Sequence, residues 1–500
     1  MRSTVHSRRG ARSSTSSFFR ATGAWLALVG LAGCAHDPVY NPPMTLHTEE
    51  AIVEANEPAR PSVTPEQAFA IAEEAFIWGY PLLMQYEMLT KQAIDRDSGG
   101  FRAPLNQCFH MGQLLDASFT QIVTPNNDTL YSMCWLDVRE EPVVLSVPAI
   151  TGRYYSFQLV DIYTHNFGYM GTRTTGTGAG SYVIAGPSYD GEPPQGTTAM
   201  IRSEGGFVLA LGRIQVNGPA DAEAVRAIQG QIKVETLSAH FGTRAPADPP
   251  DQDFPRWVPE SIATPEFSTY VNYLLRTARP VHSELAMLER FGHIGVGPER
   301  DIDSPELPPA IRDAITAGIA SARTKIEEQA RNLAPARNGW QIPADAFGDR
   351  QRMEGHYLLR AAAAMAYLYG NSAEEAMYPV ALVDSNGEAL DGSHDYELHF
   401  GPDEIPPVDA FWSITMYRLP ERLFVANDLN RYSISDRTDG VRRARDGSLT
   451  FRISARPPRG GNANWLPAPA GPFYLALRMY LPKPEAQNGT YTPPPVRRLP

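Results

Sequence analysis

The chain has 500 residues, 44 Lys and Arg against 56 Asp and Glu, and a net charge of −12 at neutral pH. Its only lysines are Lys91, Lys233, Lys325 and Lys483, so this acidic chain is a poor nucleic-acid binder, and no nucleic-acid partner is expected. No stretch after the N-terminus reaches 18 consecutive apolar residues, so no membrane-spanning helix is expected.

In chain order, the first signal is a leader. Arg2, Arg8, Arg9, Arg12 and Arg20 precede any acidic residue, and an apolar run from Ala24 to Ala32 follows. That run has the length of a signal-peptide core and is too short to cross a bilayer. It ends in Leu31-Ala32-Gly33-Cys34, which resembles a lipobox. Residues 1–33 are therefore expected to be removed and Cys34 to carry lipid, giving an envelope lipoprotein anchored in the membrane. Ser7-Arg8-Arg9 hints at a twin-arginine leader, but no apolar residues follow directly. Ala35, rather than Asp, after the modified cysteine points to the outer membrane. Loss of the leader removes five Arg and no acid, taking the charge from −12 to −17. Residues 34–63 are rich in Pro, Asn and acid and read as a tether of ~30 Å average reach.

The remaining roughly 440 residues exceed a single compact core and suggest two or three units. Thr64, Pro65 and Gln67 form a capping-box pattern, and apolar residues recur at helical spacing from Phe69 to Met84, with a kink or break expected at Gly79 and Pro81. From about 120 to 216 short runs rich in β-branched and aromatic residues, split by Gly and Pro, predict strands over 129–138, 143–147, 153–163, 181–184, 199–202 and 207–216. From about 219 to 370 the pattern turns helical, with helices predicted over 219–240, from 264, over 310–332 and over 350–369. Strands return over 377–383, 395–400, 410–417, 433–435, 448–453 and 474–480, before an extended proline-rich tail from Tyr491 to Pro500. The order predicts an α+β fold in which an N-terminal helix (64–218, with the first β-unit), a helical middle (219–375) and a second β-unit (376–500) follow one another. Cys108 and Cys134 could pair or remain two buried thiols.

Two passages resemble known domains. Thr124-Pro125-Asn126-Asn127-Asp128-Thr129-Leu130-Tyr131, with Trp135-Leu136-Asp137, Arg153-Tyr154-Tyr155 and Gly171-Thr172-Arg173, is similar to the bacterial domain of unknown function numbered 1254. Pro406 to Ser413, Asn427, Asn430 to Ile434, Asn464 to Pro469 and Phe473 to Tyr480 resemble the domain of unknown function numbered 1214, which commonly follows the first. The resemblance implies two jelly-roll-like β-sandwich units with a helical insertion between them, and it brings no reaction with it. At one position the chain departs from the family pattern: His165 stands where an Asn is expected, and Asn166 follows it.

Candidate site residues come from side-chain chemistry. Asn126, Asn127 and Asp128 either close a turn or present polar groups to a ligand. Asp161 beside His165 at a strand end is the best acid/base pair of the first β-unit. In the second unit, alternation puts Trp412, Ile414 and Met416 in the core. Tyr417 then shares a polar-aromatic face with Arg478 and Tyr480, where Arg478 would bind a carboxylate. Asn427 and Arg431 either add polar contacts or brace a loop. No nucleophile elbow, phosphate loop or zinc motif occurs, and His394 and His399 are badly spaced as co-ligands, so neither a cofactor nor a metal is expected. Three functions fit: an enzyme acting on a small or sugar-like molecule, a ligand-binding or scavenging lipoprotein with the same pocket, and a structural envelope assembly protein that pairs with further copies of itself.

Overall fold

The computed structural model describes residues 63–120, 123–246, 253–300, 307–343 and 345–500; the expected leader, Cys34 and all but the last residue of the tether lie outside them. The described residues are mixed α and β, with a helix at the front and four open sheets. None of their helices is long and apolar enough to cross a membrane.

The first helix, Pro65–Leu89, begins with the capping box that its sequence predicts. The Thr64 side chain accepts from Gln67 N, and Gln67 Oε1 accepts from Thr64 N. It does not break at Gly79 or Pro81 but runs on into a wider turn over Thr90–Ile94. An interior proline costs about 3 kcal/mol. Fully buried Phe76, Trp78, Leu82, Leu83 and Tyr86 around it each contribute ~2 kcal/mol, which outweighs that cost. Gly79 has a packing role: a Cβ there would sit 3.3 Å from Val271 Cγ2, on the crossing helix Phe267–Arg276. Gly318 plays the same part on the helix Pro309–Arg331, where a Cβ would lie 2.5 Å from the Phe69 carbonyl oxygen.

The first sheet has the strand order Gln107–His110, Thr129–Asp137, Phe207–Gln215, Tyr155–Val160, Asn166–Gly171, all antiparallel. The second runs Ala199–Arg202, Gly180–Ala185, Val143–Val147, Lys233–Thr236. Alternation splits the first sheet cleanly. Leu130, Cys134, Leu136, Phe157 and Leu159 share a core with Val143, Leu145 and Ile184 of the second sheet. Trp135, Val160, Leu209 and Leu211 face the helices instead. Cys108 and Cys134 stand directly opposite one another, with Cα atoms 4.3 Å apart, and form a disulfide.

The third sheet is built on Phe473–Pro482 and Val408–Arg418, joined by Ser433–Ile434, Val380–Ala381, Ala376–Met377, Trp340–Gln341 and Ala336–Arg337. The fourth has the order Trp465–Pro467, Leu449–Ser454, Tyr396–Phe400, Arg497–Arg498. Trp412, Ile414 and Met416 enter the core shared by these two sheets, as alternation predicts, with Leu475, Leu477 and Met479 beside them.

Several elements differ from the sequence pattern: the helix predicted over 350–369 is broken between Met353 and Tyr357, and the strand predicted over 377–383 is split into Ala376–Met377 and Val380–Ala381. The predicted helix over 219–240 stops at Gln229, and Lys233–Thr236 becomes an edge strand on Val143–Val147. Gly230 interrupts the helical run there, and Val234 packs against the core of the two N-terminal sheets. The tail does more than extend. Arg497–Arg498 pairs with Tyr396 and Glu397, Val496 is buried, and Trp340 Nε1 donates to Pro494 O at 2.9 Å.

Candidate functional site

The Thr124–Asp128 segment is both a turn and a clamp. Asn126 Oδ1 accepts from Asp128 N at 2.6 Å, closing the turn. Its Nδ2 donates to Thr129 Oγ1 at 3.2 Å and reaches across to Tyr480 OH at 2.7 Å and Tyr131 OH at 3.3 Å. Asp128 Oδ2 accepts from Ser413 Oγ at 2.6 Å, and Tyr417 OH donates to Pro125 O at 2.5 Å. Arg478 donates to Thr415 Oγ1 at 2.7 Å and to the carbonyls of Thr124 and Pro125 at 3.3 Å. The polar-aromatic face of the third sheet is therefore covered by the first β-unit. Asn127 takes no part in this clamp: its Oδ1 is buried without a partner among the described residues.

From the first sheet, Tyr131, Gln158 and Arg213 meet this face. Arg213 donates to Gln158 Oε1 at 2.7 Å, Asn371 Oδ1 at 3.4 Å and Tyr369 O at 3.2 Å, while its Nε finds no partner. Its guanidinium lies 5.3 Å from the Tyr131 ring. Arg213 and Arg478 are each 4% exposed, and among the described residues neither makes an ion pair with a carboxylate. Burial alone would raise the Tyr131 phenol, but the positive charges of Arg213 and Arg478, with the hydrogen bond from Asn126, pull it below its ordinary value. Tyr480 moves the other way, pushed well up by burial and by the neighbouring phenols and Asp128. Phe411 stacks on Tyr480 at 4.2 Å, and Arg437 stacks over Phe411 at 4.2 Å.

Asp161 and His165 do come together. Asp161 Oδ1 accepts from the backbone N–H groups of Tyr163 and His165, both at 2.8 Å. Arg360 Nη1 lies 3.0 Å from His165 Nε2, and a guanidinium can only donate. Nε2 must therefore accept, which leaves the proton on Nδ1, donating to Asp161 Oδ2 at 3.2 Å. With both nitrogens committed and 2% exposure, His165 has none left for a substrate. Asp161, His165 and Glu204 could offer ligand atoms within 4.8 Å of one another. Arg350 on Glu204 and Arg360 on His165 place positive charge where a cation would sit. Tyr417 makes no contact with this pair; it stacks on Phe424 and Tyr474 instead.

Asn427 and Arg431 take the bracing role. Asn427 bonds the backbone of Val425, Leu429 and Arg431, and Arg431 donates to the carbonyls of Asn462, Ala463 and Trp465. Two small pockets flank Phe347, one touching Arg360 and Tyr369 and the other Asn371 and Tyr378. Neither is lined by Tyr417, Arg478 or Tyr480. Arg213 and Tyr131 are the site residues that side-chain chemistry missed. Arg213 is the lone charge in the mostly apolar run Phe207–Val216, and Tyr131 closes the first family passage.

None of the curated proteins matches the chain. Among solved structures, the VPA0106 protein from Vibrio parahaemolyticus is similar, with 28% identity and a TM-score of 0.72 over 87% of this chain and 100% of that one. An uncharacterized protein from Burkholderia cenocepacia aligns at 13% identity and a TM-score of 0.40, over 87% of this chain and 92% of its own. Residues 105–236 match the family model described as protein of unknown function DUF1254, and residues 375–484 match that of DUF1214. The chain thus carries a DUF1254 region followed by a DUF1214 region.

Proposed function

We propose that this is a lipid-anchored envelope protein that holds a small carboxylate at the junction of two jelly-roll-like units. The observation that carries the ligand is the pair Arg213 and Arg478, both buried at this junction and, among the described residues, without an ion pair to a carboxylate. A buried guanidinium without an anionic partner is costly, and a bidentate carboxylate is the group that offsets it best. Tyr131 and Tyr378, both half-buried, are where a ligand would reach this junction. The basic leader, the lipobox at Cys34 and the Cys108–Cys134 disulfide all favour an oxidising envelope compartment.

Two measurements test this. Acetate, succinate and benzoate are titrated into the protein and followed by calorimetry and melting temperature. At least one should bind the parent chain and fail to bind Arg213→Met. No binding by any of the three, or equal binding by Arg213→Met, defeats the carboxylate site. Separately, Cys34→Ser should leave the membrane fraction after a high-salt wash, because lipid is the only anchor proposed.

A further inference from the structure

The fourth sheet carries charge against the sign of the chain. Residues 442–459 hold six arginines and one acid, Asp446, in a chain with 44 Lys and Arg against 56 Asp and Glu. All six are exposed, as are Arg497 and Arg498 on the C-terminal edge strand. Two of them find carboxylates: Arg443 pairs with Asp436 at 2.7 Å, and Arg452 with Glu397 at 3.1 Å. Arg442, Arg445, Arg456, Arg459, Arg497 and Arg498 form no ion pair among the described residues.

The fold gathers this charge along one strand. Leu398, Phe451 and Ile453 point into the core of the third and fourth sheets, so Glu397 and Arg452 lie on the outer face. Glu397 stands opposite Arg452 on one neighbouring strand and Arg497 on the other, which puts all three in one row across that face. The strand Leu449–Ser454 is about 17 Å long, and both of its ends are tied to basic loops. Ahead of it, the Asn464 amide donates to Arg442 O at 2.8 Å and Thr450 O at 2.9 Å and accepts from Arg442 N at 2.8 Å. Behind it, Ser454 Oγ donates to Arg456 O at 2.7 Å. The guanidiniums form a strip, and none of them lines either pocket. A strip without a cavity fits an extended anionic surface rather than a single small anion.

We infer that this strip docks on anionic phospholipid headgroups. Guanidiniums pair with phosphate oxygens two at a time, which an ammonium cannot do. Like charges crowded on an otherwise acidic body repel one another, and a facing layer of phosphates relieves that repulsion. The choice of lipid rests on the anchor proposed at Cys34, whose tether of ~30 Å average reach would keep the body beside a phosphate surface. The anionic character of the partner does not rest on it. Docked in this way, the C-terminal unit faces the membrane and the tethered body takes one orientation.

The test uses residues 35–500, which keep every described residue and leave out the lipid. Vesicles of phosphatidylcholine alone are compared with vesicles of phosphatidylcholine and phosphatidylglycerol in equal parts. The chain should sediment with the anionic vesicles in about 0.01 M salt and be released in about 1 M, as the Debye length falls from ~30 to ~3 Å. It should ignore phosphatidylcholine alone. Arg445→Gln/Arg456→Gln/Arg459→Gln should lose about 100-fold in partitioning, at about fivefold for each charge. Arg96→Gln/Arg244→Gln/Arg256→Gln removes the same charge from exposed positions elsewhere and should bind as the parent does. No binding to the anionic vesicles, equal binding to both kinds, or equal loss in the two triple variants overturns the inference. So does retention on heparin without vesicle binding, which would assign the strip to a different polyanion. Because the lipid is absent, none of these results depends on the anchor. A Cys34→Ser protein that stays with membranes after a high-salt wash defeats the anchor alone.

Discussion

Asn126→Ala tests whether the turn at the start of the first β-unit clamps the second. The amide does two separable things. Its Oδ1 closes the turn onto Asp128 N at 2.6 Å, a bond whose net contribution is ~1 kcal/mol. Its Nδ2 holds the hydroxyl of Tyr480, a fully buried residue, at 2.7 Å, and stranding that hydroxyl costs about 1–3 kcal/mol. Asn126→Ala should therefore destabilise by ~2–4 kcal/mol. Tyr480→Phe alone should cost ~1 kcal/mol, because Nδ2 keeps Thr129 and Tyr131 as acceptors. Once Tyr480 lacks its hydroxyl, the second half of the Asn126 loss disappears, so the double variant should be more stable than the sum by ~1 kcal/mol or more. Urea midpoints of the four proteins read this coupling. Additivity within ~0.5 kcal/mol would mean that the contact carries no energy and that the two units are held by other means.

Three further outcomes follow from the packing. Reduction of the Cys108–Cys134 disulfide, which closes a loop of 26 residues in sequence, should lower stability by ~3.5 kcal/mol on chain entropy, read as a urea midpoint with and without reductant. Gly318→Ala should cost ~1–3 kcal/mol or more, because its Cβ would press on the Phe69 carbonyl and force two helices apart; an unchanged melting temperature would refute so close a crossing. Burial opposes ionisation of Asp161, yet His165, Arg350 and the backbone donors together hold its carboxyl below the usual carboxylate range. Its folded pKa is thus lower than its unfolded one, so its contribution is complete above pH ~4–5 and is lost as pH falls through the folded value. Asp161→Asn should be the less stable protein at pH 7, and the gap to the parent should narrow in acid; a gap independent of pH would contradict this.

Much of the fold was legible wherever a local pattern decides. The capping box at Thr64, the alternation that sends Trp412 inward and Tyr417 outward, and the disposition of Arg478 are all short-range features. What the outward face meets was not legible, because Asn126 and Tyr480 are 354 residues apart and no periodicity spans that distance. The same holds for His165. Its pairing with Asp161 is a matter of four residues, but the guanidinium that occupies its other nitrogen comes from Arg360, 195 residues away. Pro81 shows the opposite failure: a sound local rule is overridden by tertiary packing that only the folded chain supplies.

The last residues of the chain lie across seams laid down much earlier. Asn338 and Trp340 donate to the carbonyls of Pro493 and Pro494, Ser385 N to Val496 O, and Arg497 with Arg498 closes the edge beside Tyr396. A chain delivered from its N-terminus therefore reaches residue 490 with the Trp340 indole unpaired and one sheet edge still open. Residues 493–498 act as a latch, and the C-terminal unit can close only once they have been delivered. Until then its strands are targets for chaperones and for one another, so a cut after residue 490 should yield aggregation rather than a slightly shorter protein.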